Sequence, residues 1–90
     1  MMVYRVRFTR TAGRSFSALP QEVRIRIEVA LERYATDPFR RHDVRKVMGC
    51  PADTARYRMR IGECRLIFRI LQEHLIVGSV AVGKKKNMGY

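Results

Sequence analysis

From Val3 to Phe8 the chain alternates, with Val3, Arg5 and Arg7 on one side and Tyr4, Val6 and Phe8 on the other. A period of two predicts a strand with one buried face. The period then lengthens. Ala12, Phe16 and Leu19 recur at helical spacing behind Thr9 or Thr11, either of which can cap a short helix. Pro20 suits the first turn of a second helix, along which Val23, Ile27, Ala30, Leu31 and Tyr34 line one face. Arg24 and Glu28 make an i,i+4 pair off that face. Asp37-Pro38 stops the helix, because a proline pushes the preceding residue out of helical geometry. Two helices this close in sequence predict an antiparallel helical hairpin.

Phe39 to Thr54 carries Gly49, Pro51 and the basic group Arg40, Arg41, Arg45 and Lys46, and reads as a loop holding one helical turn, with Val44 and Val47 turned inward. Alternation returns from Ala55 to Ile61. Gly62-Glu63 offers a tight turn, Cys64 to Leu71 returns, Gln72-Glu73 breaks the pattern, and a last apolar run extends from Leu75 to Val82. The predicted order is strand, helix, helix, then a three-stranded antiparallel meander. That is an α+β domain with a helical hairpin on one face of a mostly antiparallel sheet. On the last strand, Leu75, Val77 and Ala81 are expected toward the core and Ile76, Val80 and Val82 on the opposite side.

Ninety residues, with no repeat, low-complexity tract or long linker, predict a single domain over 1–90. No apolar run approaches the roughly 20 residues of a membrane span, and Met1-Met2-Val3-Tyr4-Arg5 is too polar for a signal peptide. A cytoplasmic location is the expectation. A 47% hydrophobic content in periodic arrangement argues against a disordered basic tail. Charge changes the picture most. Nineteen Lys and Arg against 8 Asp and Glu give +11, which calls for an anionic partner, nucleic acid first.

The basic residues are not scattered. With Gly62 and Glu63 as the loop, Ile61 faces Cys64, Arg60 faces Arg65, Met59 faces Leu66, Arg58 faces Ile67, Tyr57 faces Phe68 and Arg56 faces Arg69. One face of this hairpin is then apolar throughout, and the other carries Arg56, Arg58, Arg60, Arg65 and Arg69 around Ile67. Like charges directly opposite each other cost ~0.2–1 kcal/mol per pair. A solvated basic surface gives no return for that cost, whereas an anion lying across the face reverses its sign. Arginine suits phosphate because its planar fork donates two parallel hydrogen bonds. Lys84 and Lys85 are expected to emerge beside the arginines, with Tyr90 on the tail, either a frayed terminus or a ring for a base to stack on.

Other chemistry is thin. His42 and His74 read as loop residues without partners at metal-ligand spacing. Cys50 and Cys64 lack a Cys-x-x-Cys motif, and Cys64 is expected in the core. Glu63 reads as a solvated turn residue. No metal or cofactor is expected.

The segment Tyr57-Arg58-Met59-Arg60-Ile61-Gly62-Glu63-Cys64-Arg65-Leu66-Ile67-Phe68 resembles the central hairpin of the RelE/ParE toxin superfamily, which has a Tyr-basic-x-basic-x…Tyr-Arg-Leu-Ile-Tyr pattern. Val80-Ala81-Val82-Gly83-Lys84-Lys85 resembles its closing strand, and Asp37-Pro38 and Lys46-Val47-Met48-Gly49 are also family-like. The resemblance covers nearly the whole chain. It implies an antiparallel sheet on a helical hairpin, and a type II toxin held inactive by an acidic antitoxin, monomeric alone and hetero-oligomeric with that partner. RelE-like members are ribosome-dependent mRNA endoribonucleases; the alternative is a ParE-like inhibitor of DNA gyrase without catalytic chemistry. By resemblance the catalytic group is Arg58, Arg60, Arg65, Lys85 and Tyr90, flanked by Arg56, Arg69, Lys84 and Lys86 as RNA-binding residues. Arg58 and Arg60 stand where lysines occur in the best-studied type, Lys85 replaces an arginine, and Tyr90 lies one residue closer to Gly83 than in that type. A third reading, an RNA-binding domain with neither activity, predicts only salt-sensitive RNA affinity.

Overall fold

The computed structural model describes residues 3–38, 43–49 and 55–83. Strand β1 (Arg5–Phe8) leads into helices α1 (Arg10–Ser17) and α2 (Gln21–Thr36), followed by strands β2 (Val44–Lys46), β3 (Tyr57–Ile61), β4 (Cys64–Leu71) and β5 (His74–Val82). One five-stranded sheet has the order β1-β5-β4-β3-β2. The last four strands form an antiparallel meander, and β1 pairs in parallel with β5, Arg5 opposite His74 and Phe8 opposite Val77.

Local chemistry sets the helix limits. Thr9 is the N-cap of α1, its Oγ1 accepting from the Ala12 N–H at 3.1 Å, which satisfies a donor that the helix start leaves open. Pro20 sits one position earlier than expected, as the N-cap of α2 rather than in its first turn. The helix ends at Thr36, with Asp37 as C-cap before Pro38. The expected Arg24–Glu28 ion pair is not made: among the described residues Arg24 Nε is buried without a hydrogen-bond partner.

Both helices cover the apolar sheet face. Ala12, Ile27, Leu31, Met59, Cys64, Leu66, Phe68, Leu75 and Val77 form one buried cluster. Aromatic rings bind it laterally: Tyr34 meets Phe68 edge-on at 5.4 Å between centroids, and Tyr57 stacks with Phe68 at 5.7 Å. Burial pushes the Tyr34 hydroxyl above its ordinary pKa, and does the same to the Cys64 thiol.

Three further expectations change. The stretch read as a loop with a helical turn contains instead the short edge strand β2, with Val44 opposite Met59 and Val47 half-buried beyond it. His74 is not a loop residue but the first residue of β5. The third change concerns β5 itself. Ile67 pairs with Ser79, yet Phe68 pairs with Val77, so Gly78 is an extra residue in the strand. Such a bulge inverts the alternation beyond it. Val80 and Val82 therefore pair with core-facing Leu66 and Cys64, while Ala81 joins Arg65 on the outer side, the reverse of the expectation for all three.

Candidate nucleic-acid interface

The β3–β4 register is the one the turn predicts: Arg60 opposite Arg65, Arg58 opposite Ile67, Tyr57 opposite Phe68. Gly62 holds the turn with φ +60°, in the left-handed region that glycine enters without cost. Met59, Leu66 and Phe68 are buried while Arg58, Arg60, Arg65 and Arg69 are exposed. The ladder stops at Tyr57–Phe68, one position short of the expected Arg56–Arg69 pair, but both of those side chains line one hollow on the outer face.

The sheet adds arginines that the hairpin alone does not supply. β2 places Arg45 directly opposite Arg58. β1, alternating with its half-buried Val6 and Phe8, presents Arg5 and Arg7 on the outer side. Every strand except β5 thus contributes arginine to this face. The local signal for Arg5 and Arg7 was present in the alternation; what was missing was β1's place beside β5. Arg45 was hidden because a three-residue edge strand carries too little periodicity to be recognised.

Arg45, Arg58, Arg60 and Arg65 surround a cleft of about 410 Å³, with Asp43 at its rim. Asp43 Oδ2 lies 3.8 Å from Arg60 Nε, and both side chains are about three-fifths exposed (60% and 62%). Solvent screens such a pair, so it holds Arg60 weakly. The Asp43 carbonyl also accepts from the Arg60 N–H at 3.1 Å, which fixes the start of β2 against β3. Asp43 is the sole carboxylate lining the cleft among the described residues, so cationic groups prevail there.

The chain leaves the described region at the same end of the sheet. The Gly83 N–H donates to the Glu63 carbonyl at 2.7 Å, beside the Arg60–Arg65 pair. Lys84, Lys85, Lys86 and Tyr90 lie outside the described residues, as do His42, Cys50, Arg40 and Arg41. Cys64 is in the core as expected, 4% exposed.

A small α+β domain whose meander buries one face under two helices and covers the other with guanidinium groups is the class that fold and site define together. Its fold is that of the RelE toxins. The RelE–RelB complex of Pyrococcus horikoshii matches with a TM-score of 0.75 at 24% identity, over 90% of this chain and 96% of that one. The RelBE2 toxin–antitoxin complex of Mycobacterium tuberculosis matches at 0.68 and 24% identity, over 91% and 93%. The isolated RelE toxin of E. coli matches at 0.72 and 20% identity, over 90% and 85%. No family model and no curated protein sequence matches the chain.

Proposed function

We propose that this protein is the toxin of a type II toxin–antitoxin pair and acts as a ribosome-dependent mRNA endoribonuclease. The observation that carries the reading is the cleft of Arg45, Arg58, Arg60 and Arg65, in which like charges oppose one another across two neighbouring strand pairs. An RNA backbone is the ligand that turns this repulsion into attraction, each guanidinium fork meeting phosphate oxygens. The fold shared with toxins solved in complex with RelB supports the antitoxin partner.

In the proposed reaction the ribose 2′-oxygen attacks the adjacent phosphorus. The bond from phosphorus to the 5′-oxygen breaks, and the 2′ proton is lost as the 5′-oxygen gains one. The products are a 2′,3′-cyclic phosphate and a 5′-hydroxyl end. Arginine stays protonated in proteins and does not serve as the base. Arg58, Arg60 and Arg65 instead stabilise the charge that builds on the pentavalent phosphorus, and hold the chain for in-line attack. Lys85 is assigned to proton transfer and Tyr90 to orienting a base, on the family resemblance. A site this poor in acid–base groups requires the ribosome to arrange the message. The acidic antitoxin occupies the same cationic face when the pair is assembled.

The test is induction in growing cells with parallel mapping of RNA ends and DNA integrity. Coding-region cuts on ribosome-bound messages, lost in Arg65→Ala, are expected. Intact messages with broken DNA overturn the reading and point to gyrase.

A further inference from the structure

The outer face holds a second hollow, also of about 410 Å³, built by the β5 bulge. Its floor is Ile67 and Ile76, both half-buried, and its walls include Arg56, Arg69, Thr9 and Ser79. The extra residue Gly78 lets β5 bend away from β4 at Ile67–Phe68, and bulges of this kind re-aim side chains beside functional sites. Thr9 ties the rim in place. Its Oγ1 receives the Ala12 N–H at 3.1 Å and lies 3.5 Å from the Gly78 carbonyl, while its own N–H donates to the Val77 carbonyl at 3.0 Å. The exposed Ser79 hydroxyl makes no hydrogen bond among the described residues.

This composition differs from that of the arginine cleft. The cleft is polar nearly throughout, whereas the hollow has an aliphatic floor between two guanidinium groups with a free hydroxyl at the edge. A nucleobase has the matching form: two flat apolar faces, a hydrogen-bonding rim and a phosphate attached. Arginine planes also stack on unpaired bases. Arg56 lies four residues from Arg60 along nearly extended chain, about 13 Å. That spacing is short enough for one RNA strand to reach from cleft to hollow along the sheet.

We infer that the bulge hollow is a nucleobase subsite, in which Arg56 and Arg69 clasp an unpaired base of the RNA strand whose neighbouring phosphate lies in the Arg58–Arg65 cleft. It rests on the RNA-directed reading of this face and extends it from backbone to base. Arg56 and Arg69 act as binding residues, and the base held there sets which part of the message is presented to the cleft.

The test uses the full chain and a labelled 2′-O-methyl hexa-adenylate, which its own 2′-oxygens cannot cut. Affinity is measured with each position in turn made abasic. For the unmodified protein, loss of one particular base is expected to weaken binding by roughly fivefold or more, the lower range for one stacked base. In Arg69→Gln the intact and abasic strands are expected to bind alike. Arg14→Gln, which removes the same charge from helix α1, is expected to keep the full difference. Equal base dependence in Arg69→Gln and the unmodified protein overturns the inference, as does an equal loss in Arg14→Gln or no binding of the strand at all. Base-coupled binding without cleavage in cells leaves the subsite standing and removes the nuclease; cleavage without base coupling does the opposite.

Discussion

Arg60 stands directly opposite Arg65 in the β3–β4 ladder, and among the described residues the carboxylate that pairs with them, Asp43, lies 3.8 Å from Arg60 Nε. The pair is left substantially uncompensated in the free protein. The repulsion lowers the stability of the free sheet at the point where the proposed RNA backbone would relieve it.

Arg65→Gln is expected to leave the unfolding free energy unchanged or raise it, by up to ~1 kcal/mol, because it removes a like-charge cross-strand pair. The same variant is expected to bind single-stranded RNA more weakly. The slope of log affinity against log salt should fall by about 0.7, the value of one lost phosphate contact on a single strand. Urea denaturation and a salt titration check the two halves separately. A drop in stability comparable to a core truncation contradicts the account.

Leu66 is fully buried at the centre of the sheet, on the strand that both hairpins share. Leu66→Ala should cost ~2–5 kcal/mol, a large share of the stability of a domain this small. Urea unfolding followed by circular dichroism is the measurement.

Gly62 has φ +60°, and a Cβ there would meet Arg26 Nη1 at 3.6 Å, an ordinary contact. Backbone conformation, not space, is then the obstacle. Gly62→Ala is expected to destabilise by ~1–2 kcal/mol, and Gly62→Asn by less, since asparagine tolerates the left-handed region. The order of the three urea midpoints decides it.

Burial pushes the Cys64 thiol above its ordinary value of 9.0. A raised folded-state pKa means that its contribution to stability is complete below about pH 9 and is lost as pH climbs from there through the folded value. Cys64→Ala should show a shallower decline in stability across that window, although truncation of a buried side chain lowers its absolute midpoint. Urea unfolding between pH 7 and 10 measures the slope.

Much of this architecture was legible because short-range rules govern it. The Gly62-Glu63 turn fixes the register, and with it the partner of every residue from Tyr57 to Phe68. Thr9 and Asp37 close the helices by local geometry. The failures have physical causes too. β2 is held by backbone hydrogen bonds at a sheet edge, and Arg45 and Lys46 are exposed there, so no hydrophobic pattern betrays it. The Gly78 bulge breaks the alternation on which the orientation of Val80, Ala81 and Val82 rested; a glycine inside a strand was the available warning. The neighbour of β1 is set by the assembled sheet, so Arg5 and Arg7 were seen to share a side without being seen to join the cationic face. For the site, Arg58, Arg60, Arg65 and Arg69 followed directly from register, whereas the hollow at Ser79 needed three dimensions.

The parallel pairing of β1 with β5 sets an order of assembly. Of the five described strands, β1 precedes the rest in sequence and has as its neighbour the one that comes after all the others, so a nascent chain halted before His74 offers β1 no place in the sheet. Contacts this distant in sequence form slowly. The cationic face therefore becomes whole only after translation has passed β5, and a copy terminated before that point lacks the finished surface.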